Sequence, residues 1–174
     1  MGASSVTTGD ELPAVLSRRL LALLAGVPDP EIPVLSVLDL GIVRHLRRRP
    51  DGTIEVGVSP TYSGCPATPV IKADIVRALE SAGFRVAAED VLSPPWTSDW
   101  ISAEGRRKLE AYGIAPPAEA VGSTRRLLNP DPVVACPRCG ARETRRLSEF
   151  GSTPCKALYR CDACLEPFDY FKCI

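Results

Sequence analysis

"PTYSGCPATPVIKADIVRAL" (60–79) places a single cysteine between Gly64 and Pro66, where a β-prone stretch gives way to an apolar pattern of helical period. From Ala67 to Ala82 the residues Val70, Ile71, Ile75, Val76 and Leu79 recur three and four apart, Gly83 ends the pattern, and "FRVAAEDV" (84–91) then reads as a strand. A helix between two strands is a crossover, so those strands are expected to lie parallel with a right-handed connection. Pro66 suits the first helical position and Cys65 the cap before it. The sulfur would then sit beside unpaired backbone amides at the positive end of the helix, surroundings in which thiols become reactive. Gly64 would let a partner or metal approach the backbone closely. A functional thiol and a buried structural cysteine are both consistent with this position.

Upstream, "GIVRHLRRR" (41–49) and "TIEVGVSPTY" (53–62) are β-prone and joined by "PDG", whose Asp51 and Gly52 are hairpin turn residues, giving a hairpin at about 41–62. Leu12, Val15, Leu16, Leu20, Leu23 and Leu24 mark a first helix, which Gly26 and the prolines of "GVPDPEIPV" (26–34) stop. Asp29 and Glu31 lie on that proline-stiffened loop and Asp39 just before the hairpin. Carboxylates there could hold iron transiently beside a thiol, or could cap local backbone. Residues 1–11, "MGASSVTTGDE", have the small, polar, aperiodic composition of a disordered terminus.

The 174 residues carry 21 basic and 21 acidic side chains, so no global field is available to hold a nucleic acid or an anionic membrane. The apolar run "LLALLAGV" (20–27) is far short of the roughly 20 residues needed to span a bilayer. Seven cysteines, four of them in C-x-x-C pairs, read as metal ligands or reactive thiols of a reducing, cytoplasmic protein. The one histidine, His45, excludes a multi-histidine iron centre, and no phosphate loop or dinucleotide fingerprint is present.

Beyond a short amphipathic helix at Ala103–Tyr112, "APPAEAVGSTRRLLNPDP" (115–132) has linker composition. "CPRCG" (136–140) and "CDAC" (161–164) follow, separated by 21 residues, a spacing that reads as a four-thiolate metal site at Cys136, Cys139, Cys161 and Cys164. Zinc is the commoner occupant of such a set and a single iron the alternative. Gly140 lets the first turn take positive φ, whereas Leu165 stands where a glycine would follow the second pair. Cys155 and Cys173 are either buried small hydrophobes or further ligands. Arg125, Arg126, Arg138, Arg142, Arg145 and Arg146 are nearly cancelled by Glu143, Glu149, Asp162, Glu166 and Asp169, which disfavours nucleic-acid binding. Phe168, Tyr170 and Phe171 are expected either to form a docking patch or to pack against the N-terminal domain. The expected fold is therefore α/β: an α-β-β-α-β domain with a mixed sheet at 12–114, a linker at 115–132 and a zinc ribbon at 133–174.

"DPEIPVLSVLDLGIV" (29–43), "PTYSGCPA" (60–67) and "PPWTSDWIS" (94–102), in that order, resemble the SufT-like iron-sulfur assembly domain family over most of residues 12–112. "FGSTPCKALYRCDACLEPFDYFKCI" (150–174) narrows the resemblance to the PaaD family, accessory proteins of the phenylacetyl-CoA epoxidase system. The resemblance implies a non-catalytic accessory role in aerobic phenylacetate degradation, maturing or delivering iron-sulfur or di-iron centres. Its implied partners are the oxygenase and reductase components. Cys65 falls on the family's reactive Gly-Cys-Pro position, Asp29, Pro30 and Glu31 on its Asp-Pro-Glu loop, and Asp39 and Gly41 on its Asp-x-Gly. Trp96 and Trp100 match its tryptophan motif, though packing explains both more plainly. One thiol per chain cannot hold a [2Fe-2S] cluster, so a cluster would need a homodimer or small-molecule thiols. The alternative is a structural or coupling subunit of the monooxygenase.

Overall fold

The computed structural model describes residues 6–8, 12–62, 64–118 and 133–172. Its elements are β1 (Thr7–Thr8), α1 (Ala14–Leu24), β2 (Val43–Arg48), β3 (Ile54–Val58), α2 (Ala67–Glu80), β4 (Val86–Asp90), a 3-10 turn (Ser98–Trp100), α3 (Ala103–Tyr112), β5 (Ile114–Ala115), β6 (Thr144–Ser148), β7 (Lys156–Cys161) and β8 (Pro167–Phe171). The chain divides into two compact units, residues 1–105 and 106–174.

In the first unit the β2–β3 hairpin closes through the expected residues. Gly52 adopts φ +85°, and Asp51 Oδ1 accepts the Thr53 amide at 2.9 Å, an Asx turn that fixes the reversal. Strand order is β1-β2-β3-β4, with β2 and β3 antiparallel and β3 and β4 parallel, so the mixed sheet and the α2 crossover are as the periodicity predicts. Helix α2 ends in a Schellman pair: Gly83, at φ +89°, donates to Glu80 O at 2.9 Å and Phe84 to Leu79 O at 3.2 Å. α1 lies against α2, and α2 against β4. The core takes Leu20 and Leu24 from α1, Ile71, Ile75 and Leu79 from α2, and Leu46, Ile54 and Val56 from the sheet. Opposite Gly57 lies His45 in register, and a Cβ at Gly57 would overlap the imidazole ring, so only glycine fits there.

Several expectations need correction. Thr7 and Thr8, inside the stretch expected to be disordered, pair parallel with β2, whose edge offers unpaired backbone groups and whose extended conformation suits threonine; residues 1–5 and 9–11 lie outside the described residues. Val15, placed on the apolar face of α1, is 78% exposed, because Ser17, Leu20 and Leu24 form the buried stripe instead. Residues 106–114, assigned to the first domain, belong to the second unit, because β5 pairs parallel with β8. Of the expected linker, 119–132 lie outside the described residues, as does Cys173.

The second unit is a sheet of order β5-β8-β7-β6. Instead of an exposed patch, its terminal aromatics form an interior. Phe168 and Tyr170 fill the ribbon's own core with Ala115, Val134, Ala157 and Tyr159, and Phe171 is also buried. The Tyr159 ring stacks on Phe168 at 6.0 Å and meets Tyr170 edge-on at 5.4 Å. A small module reaches a closed core only by turning its aromatics inward. Ion pairs between Arg145 and Asp162 at 3.2 Å, and between Arg146 and Glu149 at 2.7 Å, fit a charge-mixed surface.

Candidate functional site

The turn before α2 is built by its residue types. Gly64 adopts φ +82°, with open space where a side chain would stand. Cys65 donates its amide to Tyr62 O and its carbonyl accepts the Thr68 amide, both at 3.2 Å. Pro66, rather than the expected Cys65, is the cap of α2; its dihedrals are already helical (φ −67°, ψ −19°), and Cys65 stands one residue before it. The Cys65 side chain is 9% exposed, between exposed Gly64 and Pro66. The Ser59 amide donates to Ile42 O at 2.8 Å, so the Asp39–Gly41 turn and the Cys65 turn leave the same end of the β2–β3 pair. The Val91 amide on Val58 O, and Lys72 on Asp90 at 3.0 Å, bring the end of β4 and the second turn of α2 to that end as well.

The loop carboxylates are engaged by their own loop. Asp29 is buried, and its Oδ1 accepts the amides of Glu31 at 2.9 Å and Ile32 at 2.7 Å. Asp39 is also buried; its Oδ2 accepts the amide and hydroxyl of Ser36, at 2.9 and 2.8 Å, while Ser36 Oγ accepts the Asp39 amide at 3.1 Å. Ser102 donates its hydroxyl to Asp39 Oδ1 at 3.4 Å and its amide to Asp39 O at 2.8 Å. Trp96 Nε1 donates to Leu40 O at 2.9 Å, and the Arg44 guanidinium lies 3.4 Å from the Trp100 ring centroid. Asp29 and Asp39 thus staple the loop that leads to the thiol end of the sheet. Sequence reasoning missed Ser36 and Ser102. The S-x-x-D spacing of "SVLD" (36–39) was the available signal for the first, whereas Ser102 required the tertiary fold. Asp39→Ala would leave two buried donors of Ser36 and the half-buried Ser102 hydroxyl without this acceptor and is expected to cost about 2–4 kcal/mol in a denaturant melt. Asp39→Asn, which keeps an acceptor oxygen, should cost less.

In the second unit, ligand atoms of Cys136, Cys139, Cys161 and Cys164 all lie within 4.8 Å of one another, the one such cluster among the described residues. Cys136 and Cys164 Sγ are 3.8 Å apart, and Cys139 and Cys161 Sγ 3.6 Å. A regular tetrahedron with metal–sulfur bonds of about 2.3 Å has edges of about 3.8 Å, so the donor set fits a four-coordinate thiophilic cation. Gly140, at φ +75°, closes the first turn by donating its amide to Cys136 O at 2.9 Å. The Cys164 amide, donated to Cys161 Sγ at 3.4 Å, and then the Ala163 amide hold the Cys161 thiol down at about 7. Cys139 receives the Ala141 amide but is pushed up to about 12 by Cys161 and the other crowded sulfurs and by burial. Four thiols this close accept one negative charge readily and further charge only with a cation among them. Cys155 stands outside the cluster, buried, with its Sγ 3.0 Å from Thr153 Oγ1.

Leu165, at φ +66°, occupies the left-handed conformation that Gly140 supplies in the first turn, with its side chain 59% exposed. Leu165→Gly removes that strain and little packing. It is expected to tighten metal binding by about 0.5–1 kcal/mol, a two- to five-fold gain in a chelator competition.

Comparison with known proteins follows the same two-part division. Residues 17–89 match a family of iron-sulfur cluster assembly proteins, and residues 120–172 match the PaaD zinc β-ribbon domain. An Escherichia coli protein, named as one of the subunits of a "Putative 1,2-phenylacetyl-CoA epoxidase", is 51% identical over 90% of this chain and 92% of its own length. A protein named as an Fe-S protein maturation auxiliary factor of Porphyromonas gingivalis is 34% identical over 52% of this chain and 87% of its own. A crystal structure of a DUF59 domain of unknown function from Bacillus anthracis superposes with a TM-score of 0.49 at 24% identity, covering 53% of this chain and 89% of that one. With an assembly-type domain, a four-cysteine ribbon and 51% identity to a relative along nearly the whole of both chains, this chain belongs to the PaaD family.

Proposed function

We propose that this chain is a non-catalytic accessory factor of a phenylacetyl-CoA epoxidase system, acting in the cytoplasm to mature or deliver the iron-sulfur or di-iron centres of its oxygenase and reductase partners. The observation that carries the reading is the placement of Cys65: a thiol at the start of α2, behind an open positive-φ glycine, on a turn held by the β2–β3 end of the sheet. Relatives named as maturation factors over this same domain support it. In this reading Cys65 Sγ is a transient ligand for iron as cargo. Asp29 and Asp39 hold the neighbouring loop in place, Glu31 contributes its amide to the Asp29 staple, and Gly64 leaves room for the incoming partner. One thiol gives one ligand, so a cluster in transit takes its remaining ligands from a second copy, a client or small thiols.

The ribbon holds zinc, whose closed-shell tetrahedral preference matches four thiolates and which brings no redox chemistry of its own. Its role is to fold the C-terminal module into a docking element. A single iron in the same thiolates would colour the protein, so elemental analysis together with a visible spectrum decides between the two.

The test is the iron and acid-labile sulfide content of the oxygenase and reductase, each expressed with and without this chain. Metal-poor partners that regain turnover on chemical reconstitution are expected. Fully loaded partners that turn over only when this chain is added would instead make it a structural or coupling subunit.

A further inference from the structure

The four thiols of the ribbon site are not equally protected. Cys139 and Cys164 are exposed, whereas Cys136 is 2% and Cys161 0% exposed. Outside the site, the described thiols Cys65 and Cys155 are buried at 9% and 5%. An oxidant arriving from solvent therefore meets a sulfur of the metal site more readily than Cys65 or Cys155. Each exposed sulfur faces a buried one on the other knuckle, Cys164 with Cys136 at 3.8 Å and Cys139 with Cys161, at the end of β7, at 3.6 Å. The Cys139–Cys161 pair is the closer, and a shift of about 1.6 Å would bring its sulfurs to bonding distance.

We propose that the ribbon's metal site is a peroxide-sensitive switch in which Cys139 is oxidised, Cys161 closes a disulfide onto it, and the cation is released. The thiolate of Cys139 attacks one oxygen of hydrogen peroxide. The O–O bond breaks, hydroxide leaves and takes a proton to become water, and the attacked oxygen keeps its own hydrogen, so Cys139 is left as the sulfenic acid. The thiolate of Cys161 then attacks the Cys139 sulfur, breaking its S–O bond, and the departing hydroxide takes a proton to leave as a second water. The two thiolates lose two electrons in all, and the peroxide is reduced to two waters. The cation, with two of its four thiolates consumed, passes to solvent or a chelator. The new bond joins residues 22 apart across the two knuckles, so it replaces the metal as the staple between them. The switch thus changes the charge and occupancy of the module while its strands stay together, and a dithiol reductant with metal restores it.

The experiment titrates the metal-loaded full chain with hydrogen peroxide in the presence of a chromogenic chelator. It maps disulfides by peptide mass spectrometry and follows the fold by circular dichroism. One metal released per peroxide consumed is expected, with a Cys139–Cys161 disulfide, an unchanged fold and reversal by dithiothreitol plus metal. The Cys65→Ser variant should release metal over the same titration, since its change lies outside the ribbon. Retention of the metal while peroxide is consumed elsewhere would overturn the proposal. So would a disulfide within either knuckle or between Cys136 and Cys164, unfolding on release, or loss of the response in Cys65→Ser.

Discussion

Chelation of the ribbon metal is expected to unfold residues 133–172 while the unit containing residues 12–105 keeps its own melting transition. The ribbon spans about forty residues, and its core is a handful of aromatic and small side chains around the cysteines themselves. A core of that size does not offset the entropy of ordering the chain. A four-thiolate site contributes an apparent binding free energy of roughly 10–16 kcal/mol near neutral pH, which is enough to do so. The pH dependence has a definite sign. Without metal the Cys139 thiol is pushed up to about 12, so binding must expel its proton. Protons then compete with the cation, and metal is lost as pH falls rather than as it rises. Hydrogen exchange with and without chelator reads the outcome directly. Ribbon amides that stay protected after complete metal removal, or simultaneous collapse of the first unit, would refute this account.

Replacing Cys65 with serine is expected to abolish maturation of the partner enzymes while leaving the melting temperature of the first unit within a few degrees. Serine keeps the size and the backbone geometry of the turn, in which Cys65 contributes its amide and carbonyl. What is lost is a soft, ionisable sulfur, and a hydroxyl does not hold iron at neutral pH. The readout is the iron and sulfide content of the oxygenase and reductase from cells carrying the variant. A folded Cys65→Ser protein that loads its partners fully would remove the thiol from the mechanism and leave the ribbon as the functional element. Cys65→Ala serves as the control for packing, because the side chain is largely buried. If serine and alanine both unfold the unit, the cysteine is structural.

Much of this was legible in the sequence because it rests on spacing within a few residues. Two cysteines three apart, Asp51-Gly52 between β-prone runs, Pro66 at a helix start and Gly83 at its end each constrain the chain locally, and each takes the expected conformation. The four ligands follow from the same arithmetic and meet within 4.8 Å.

Other features depend on partners far along the chain. Apolar periodicity marks α1 as a helix but does not choose between adjacent stripes, and packing against α2 decided that Val15 faces out. The loop from Val27 to Ile42 reads as a proline-rich connection, yet Val27, Ile32, Leu35, Val37, Leu40 and Ile42 are all buried, because a Pro28–Ser36 bridge folds it back on itself. Asp39 could have been a ligand or a cap until Ser102, 63 residues away, donated to it. The terminal aromatics were ambiguous for the same reason: the pairing of β5 with β8 encloses them in the ribbon.

The sequence by itself determined the two modules, the crossover that sets Cys65 at a helix start, and the metal-binding cysteines, since turn chemistry and ligand spacing act over three or four residues. Only the tertiary structure decided which carboxylates serve as loop staples, which aromatics are core and where the units divide. Those outcomes are settled by strand pairing and burial between residues far apart in the chain.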